Sequence, residues 1–241
     1  MDRMIYLSMA AAKATMQRQE VVSHNLANVS TNGFRAELSA FRAVPVRGDG
    51  ASSRVYALES TVGYSNAPGV VQTTGRPLDV AVKGNSWLAV QALDGTEAYT
   101  RAGALEVNAE GLLTDLQGRP VVGDGGPLTI PANAQVEVAS DGTISAKVGR
   151  ERPQPLGRLK LVTPEAPLQR GTDGLFRAAE GDLGADPTAR LQSGALEGSN
   201  VNAVESMVAM ISAARQFEQQ MKALQTAEQK EQSAAKLLAP Q

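Results

Sequence analysis

The 241-residue chain has no cysteine. Disulfides and thiolate-held metals are excluded, and redox chemistry gives no clue to compartment. There is one histidine, His24. A Ser/His/Asp centre would have to form around that single helical residue without a supporting motif, and a packing or surface role is far commoner. Strong charge of either sign is missing as well. The 23 basic and 25 acidic residues leave a formal net charge of -2, which is no footprint for nucleic acid. No apolar run approaches membrane-spanning length. The first residues do not read as a cleaved secretory leader, because Lys13, Gln17 and Arg18 break the apolar stretch and no small-residue cleavage site closes it. No cofactor, no nucleic acid and no direct membrane insertion are expected, and export would take a route that needs no cleaved leader. The length allows one or two domains with a real core.

What is present falls into three compositions. From Met1 to about Val29 the chain is rich in Ala, Met and Gln, with neither Gly nor Pro. Met1, Ile5, Ser8, Ala12, Thr15, Gln19, Val22, Leu26 and Val29 alternate steps of four and three, the seam of a helix. These residues are small and partly polar, which suits close packing among several helices better than a stand-alone dimer. The stretch "SHNLANVSTNGF" then carries Asn25, Asn28 and Asn32. Two readings stay open: a fraying helix end stopped at Asn32-Gly33, or a row of amides that meets amides of neighbouring chains and sets their register. Helical character returns at Ser199. Ala203, Met207, Met210, Ala214, Phe217, Met221 and Leu224 alternate four and three, with Ser199 or Asn200 as the expected N-cap.

The middle differs. Phe41 to Pro77 mixes Gly, Pro and Ser and reads as extended arms; its Arg47-Gly48-Asp49 is a chance match. From Leu78 the period falls to two. "WLAVQALDGTEAYTR" and "VEVASDGTISAKV" each carry an Asp-Gly turn between strand-like runs, and "LGRLKLV", flanked by prolines, is expected at a sheet edge. "GDGG" lacks the spacing and following helix of a dinucleotide loop. Asp79, Asp94, Glu97, Asp115, Asp124 and Asp141 mostly sit beside turn glycines, so turn chemistry accounts for them; a glycosidase pair would need two across a cleft. The expected fold is α+β. Residues 1–36 and 199–241 supply a discontinuous coiled-coil-like helical domain, 37–77 an extended arm, and 78–198 an inserted all-β domain. Two helices side by side leave much Met, Ala and Val surface wet, which implies partners.

Four stretches carry a family resemblance. "SHNLANVSTNGFR" and "LEGSNVNAVESMVAMISAARQFEQQMKALQ" resemble the terminal motifs of the axial proteins of the bacterial flagellum. "GNSWLAVQALDGTEAYTRAGALEVNAEGLLTDLQGRPVVG" is similar to the β domain shared by flagellar rod and hook subunits, and the opening "MDRMIYLSMAAAKATMQRQ" looks most like the proximal-rod type. His24 stands where the family commonly has asparagine. A hook subunit would carry a larger middle, so length also favours the rod.

The resemblance implies a non-enzymatic subunit stacked helically into a drive shaft that crosses the periplasm. Terminal helices would form the inner tube, with the β domain outside. It implies as partners copies of the chain, other rod proteins including the distal-rod subunit, and the flagellar type III export apparatus. The expected assembly interface comprises Ile5, Ala12, Val22, Asn25, Leu26, Asn28, Val29, Asn32, Gly33 and Phe34 at one end. At the other it comprises Asn200, Val201, Asn202, Met207, Met210, Ile211, Ala214, Arg215, Phe217, Met221 and Leu224. The rivals are a distal-rod subunit, a rod-associated peptidoglycan hydrolase with a carboxylate cleft, and a free-standing secreted adhesin.

Overall fold

The computed structural model describes residues 3–45, 55–149 and 152–238. The Arg-Gly-Asp triplet and the Met1 seam position lie outside the described residues. The fold is α+β: an N-terminal helix, a β-rich middle and a C-terminal helix. The chain divides into two compact units, Met1–Val29 with Ala36–Ser65 and Val201–Gln241, and Ser30–Arg35 with Asn66–Asn200.

In the first unit, α1 (Arg3–Ala27) runs along α2 (Ala203–Leu238). Good helix formers and the absence of Gly and Pro favour α1 over its whole length. It stops at Ala27, earlier than Asn32-Gly33. The last turn tightens, with Val29 N donating to Leu26 O at 3.2 Å, and Ser, Thr, Asn and Gly follow, all poor in a helix interior. The start of α2 also differs from expectation. The cap is Asn202, whose Oδ1 accepts from Val204 N at 3.1 Å and Glu205 N at 3.3 Å; that reach suits a short amide directly before the first turn.

Of the expected arm, Glu37–Pro45 and Val55–Tyr64 pair as an antiparallel hairpin with a bulge at Leu38/Ser39. This hairpin packs on α1. The chain from Asn66 onward goes with the second unit.

The second unit is all antiparallel β. A five-stranded sheet runs in the order Leu161–Val162, Trp87–Gln91, Glu97–Thr100, Phe176–Arg177, Gln169–Arg170. A three-stranded sheet holds Ala134–Val138, Thr143–Val148 and Gln154–Arg158. Both Asp-Gly turns are present, with Gly95 at φ 82° and Gly142 at φ 89°. The expected "LGRLKLV" strand is split. Its start closes Gln154–Arg158 at one sheet's edge and its end forms Leu161–Val162 at the other's. Val80, Leu88, Val90, Leu105, Leu113, Ile144, Leu161 and Leu191 form the apolar core, and Trp87 and Phe176 rings meet at 4.6 Å.

Candidate assembly interface

Two faces of α1 are used inside its own unit. The seam behaves as the spacing requires: Ser8, Ala12 and Thr15 are buried, and Ile5, Gln19, Val22, Leu26 and Val29 are half-buried. A second face meets the hairpin, where Arg18 lies 5.5 Å from the Phe41 ring and Val21 and His24 line a small cleft with Glu37, Ser39 and Ser60. Asn25 sits here. Its Nδ2 donates to Glu37 O at 2.9 Å and its Oδ1 accepts from Glu37 N at 2.8 Å, the pairing one strand gives another. Asn28 Nδ2 donates to His24 O at 2.9 Å, and His24 Nδ1 is 3.1 Å from Glu37 Oε2. The amide row thus finds partners within the chain at Asn25 and Asn28, where partners on neighbouring chains had been expected.

On α2 the observed seam is Ala203, Ser206, Met210, Ala213, Phe217, Gln220, Leu224 and Ala227, all buried or half-buried. Half of these coincide with the expected line. At the alternate positions the structure turns in Ser206, Ala213 and Gln220 rather than Met207, Ala214 and Met221. Ala214 remains half-buried, while Met207 is 52% and Met221 38% exposed. Val204 (71%), Val208 (58%) and Ile211 (54%) extend Met207 into an apolar row on one side of the helix. Arg215 is exposed one turn beyond. On α1, Tyr6, Met9 and Met16 are similarly uncovered.

Gly33, Phe34 and Asn200 belong to the second unit. Gly33 adopts φ 70°, and a Cβ there would land on the backbone of Arg101 and Ala102. Phe34 is buried, with the Arg170 guanidinium 4.4 Å from its ring. Next to it lies a cluster that residue spacing did not announce: Arg35, Arg101 and Glu197, each no more than 3% exposed. Glu197 Oε1 pairs with Arg35 Nη2 at 2.8 Å, and Oε2 accepts from Arg101 Nε at 2.9 Å and Nη2 at 2.6 Å. A remaining clue was that each is a charge set in a small or apolar stretch, "GFR", "YTR" and "ALEG".

Among the described residues, the carboxyls that shift do so downward. Hydrogen bonds from Thr96, Thr143 and Thr163 hold the Asp94, Asp141 and Asp186 carboxyls low, Asp186 at about 2, and Arg177 lowers Asp173. A glycosidase acid needs the opposite, a carboxyl held protonated near neutrality. Burial pushes the Tyr99 phenol up; it donates to Glu97 at 2.9 Å and accepts from Leu183 N at 2.6 Å.

Three family models match the chain: flagella basal body rod protein over residues 5–35, the flagellar hook protein FlgE/F/G D1 domain over 81–146, and the flagellar basal body rod FlgEFG protein C-terminal over 192–237. The flagellar basal-body rod protein FlgF of Salmonella typhimurium strain LT2 is 49% identical over 249 aligned residues, spanning 99% of each chain. The chain belongs to the flagellar basal-body rod protein family. FlgF of Escherichia coli K12 is also 49% identical, over 93% of each chain, whereas the rod protein FlgG of Buchnera aphidicola from Acyrthosiphon pisum is 30% identical over 93% of this chain. The likeness to the proximal-rod type, read from the sequence, holds against these relatives. This rod protein is a structural component of the flagellar basal body and not an enzyme. Among the described residues no helix is long and apolar enough to cross a membrane. The three buried charges come one from each matched segment: Arg35 from the first, Arg101 from the second, Glu197 from the third.

Proposed function

We propose that this rod protein polymerises helically, with copies of itself and with other rod proteins including the distal-rod subunit, into the proximal part of the periplasm-crossing shaft that transmits torque. The α1 and α2 helices form the coiled-coil-like inner tube, and the β module, inserted between them in sequence, lies outside. The chain reaches its site through the flagellar type III export apparatus. The observation that supports this reading best is the row Val204, Met207, Val208 and Ile211. It is more apolar than the seam α2 uses within the chain, yet it stays exposed. Apolar surface at helical spacing marks a partner helix. We assign the remaining expected interface residues, Asn32, Val201, Asn202, Arg215 and Met221, to contacts with neighbouring subunits as well.

The test is to locate the chain in intact basal bodies by cryo-electron microscopy. Density for it in the rod, with Met207 and Ile211 against a neighbouring subunit, is the expected result. A rod complete without the chain, or that row facing water in the assembled shaft, would overturn the proposal.

A further inference from the structure

The second unit is joined to the rest of the chain at four places, at residues 29/30, 35/36, 65/66 and 200/201. The segments that lead from them, residues 33–35, 67–69 and 197–200, meet around one buried carboxylate. Glu197 Oε1 takes the Arg35 guanidinium and the Gly69 amide at 2.9 Å, and its main-chain oxygen accepts from Gly33 N at 2.7 Å. Around it the passages are tied to each other. Arg35 Nη1 and Asn200 Nδ2 both donate to Ala67 O, and Asn200 N donates to Phe34 O at 3.3 Å. Arg170 Nη1 adds a bond to Arg35 O at 3.2 Å.

The other side of Glu197 is anchored in the β core. Arg101 grips Oε2, and its remaining hydrogens go to the carbonyls of Val82, Gly84 and Ser86. Arg101 therefore fixes the carboxylate to the sheet, while Arg35 and the neighbouring amides fix the chain passages to the carboxylate.

We propose that this Glu197-centred cluster is the mechanical joint of the subunit, clamping the four chain passages together so that load on any one is delivered to the β core as a whole. The proposal rests on the torque-bearing reading above. A subunit in a turning shaft carries load at least through its covalent connections, and an unclamped passage can pay out about 3.3–3.6 Å per residue before it tightens. A clamp of charge-assisted bonds in a dry site resists that locally, since such bonds are about twice as strong as neutral ones. Arg35 is a positioning residue here: it acts through Glu197.

Arg35→Ala separates clamping from folding, because Glu197 keeps Arg101 and the Gly69 amide and no carboxylate is stranded. Arg170→Ala loosens the same segment without touching the ion pairs. Each full-length variant is placed in cells lacking the endogenous chain, and flagellar rotation is followed as medium viscosity is raised. Both variants are expected to support rotation at low viscosity and to stop at loads the unaltered chain sustains. Amide exchange on the purified chains is expected to be about tenfold faster in residues 30–35, 66–69 and 197–200 and unchanged in the core strands. Wild-type load tolerance in both variants, or exchange rising evenly through the β core, would overturn the joint. Failure of the unaltered chain to restore rotation would overturn the rod reading itself, which is a distinguishable result.

Discussion

At Gly33 two constraints coincide. Its φ of 70° lies in the left-handed region, and its Cα sits against the Arg101 backbone with no room for a Cβ. A β-branched residue there costs about 1–3 kcal/mol in backbone strain alone, before the overlap is counted. Gly33→Val is therefore expected to undock Phe34 from beneath Arg170 and lower the unfolding midpoint of the second unit, read by calorimetry on the purified chain; an unchanged midpoint would mean the segment is not held there. Glu197 predicts a sharper contrast. Replacing it by Gln leaves two buried guanidiniums without their carboxylate, a loss of about 3–5 kcal/mol by the behaviour of broken buried pairs, whereas Arg35→Ala keeps one intact pair and costs less. Chemical denaturation of the two variants decides this, and equal losses would contradict the asymmetry. Asp186 gives a pH signature. Its folded value of about 2 lies below the ordinary 3.8, so its contribution is complete above pH 3.8 and is lost as pH falls toward 2. A carboxyl titration by NMR with a midpoint near 4 would contradict the Thr163 and Thr188 bonds.

For the elements, α1 was legible and α2 only half so. Every described position of the α1 seam is buried or half-buried, because its small residues allow α2 to approach closely. On α2 two lines compete, Met207, Ala214 and Met221 against Ser206, Ala213 and Gln220. Hydrophobicity favours the first, but a helix packed closely on a neighbour needs small side chains, and Ala213, 1% exposed, is the one that fits. Apolar spacing identifies a surface to be covered and says nothing about which chain covers it. The Asp-Gly hairpins were readable because a tight turn is a local event, fixed by positive φ at one glycine. The Arg35–Arg101–Glu197 cluster was not, because its members are 66 and 96 residues apart and each alone looks like a surface charge. A paired experiment follows for α2. Ala213→Leu should overpack the seam and cost about 1–3 kcal/mol of its already marginal packing, seen in the isolated chain as lost helical dichroism with the β module unaffected. Met207→Ser with Ile211→Ser should leave the isolated chain as stable as before and block rod completion. Circular dichroism melts and electron micrographs of basal bodies give the two readouts, and interchangeable effects would remove the distinction between the two sides.

Across the whole molecule, the two units differ in what they bury. Among the described residues of α1 and α2, the fully buried side chains are Ser8, Ala12, Ala14, Thr15, Ala213 and Ala227. None is larger than threonine. The second unit buries Trp87, Tyr99 and a set of leucines and valines at 2% exposure or less. Burial of a full Leu or Phe side chain is worth about 1.5–3 kcal/mol, while each ordered residue costs roughly 1–2 kcal/mol of backbone entropy. The helices order many residues around small side chains, so their unit has little margin as a single chain; a neighbour covering Val204, Met207, Val208 and Ile211 would supply the missing area. The expected consequence is a wide gap in local opening energy within the free subunit. Amide exchange in α1 and α2 should be complete while the strands Trp87–Gln91 and Glu97–Thr100 remain protected, and the helices should become protected only after assembly. Such instability in the free state would also keep subunits from polymerising before a growing end offers enough surface. Phe217→Ala, on the half-buried seam of α2, should then leave the thermal unfolding of the β module unchanged while rod completion fails. Equal protection of helices and strands in the monomer, or a Phe217→Ala monomer that melts early as one body, would show that the helical unit is already stable alone.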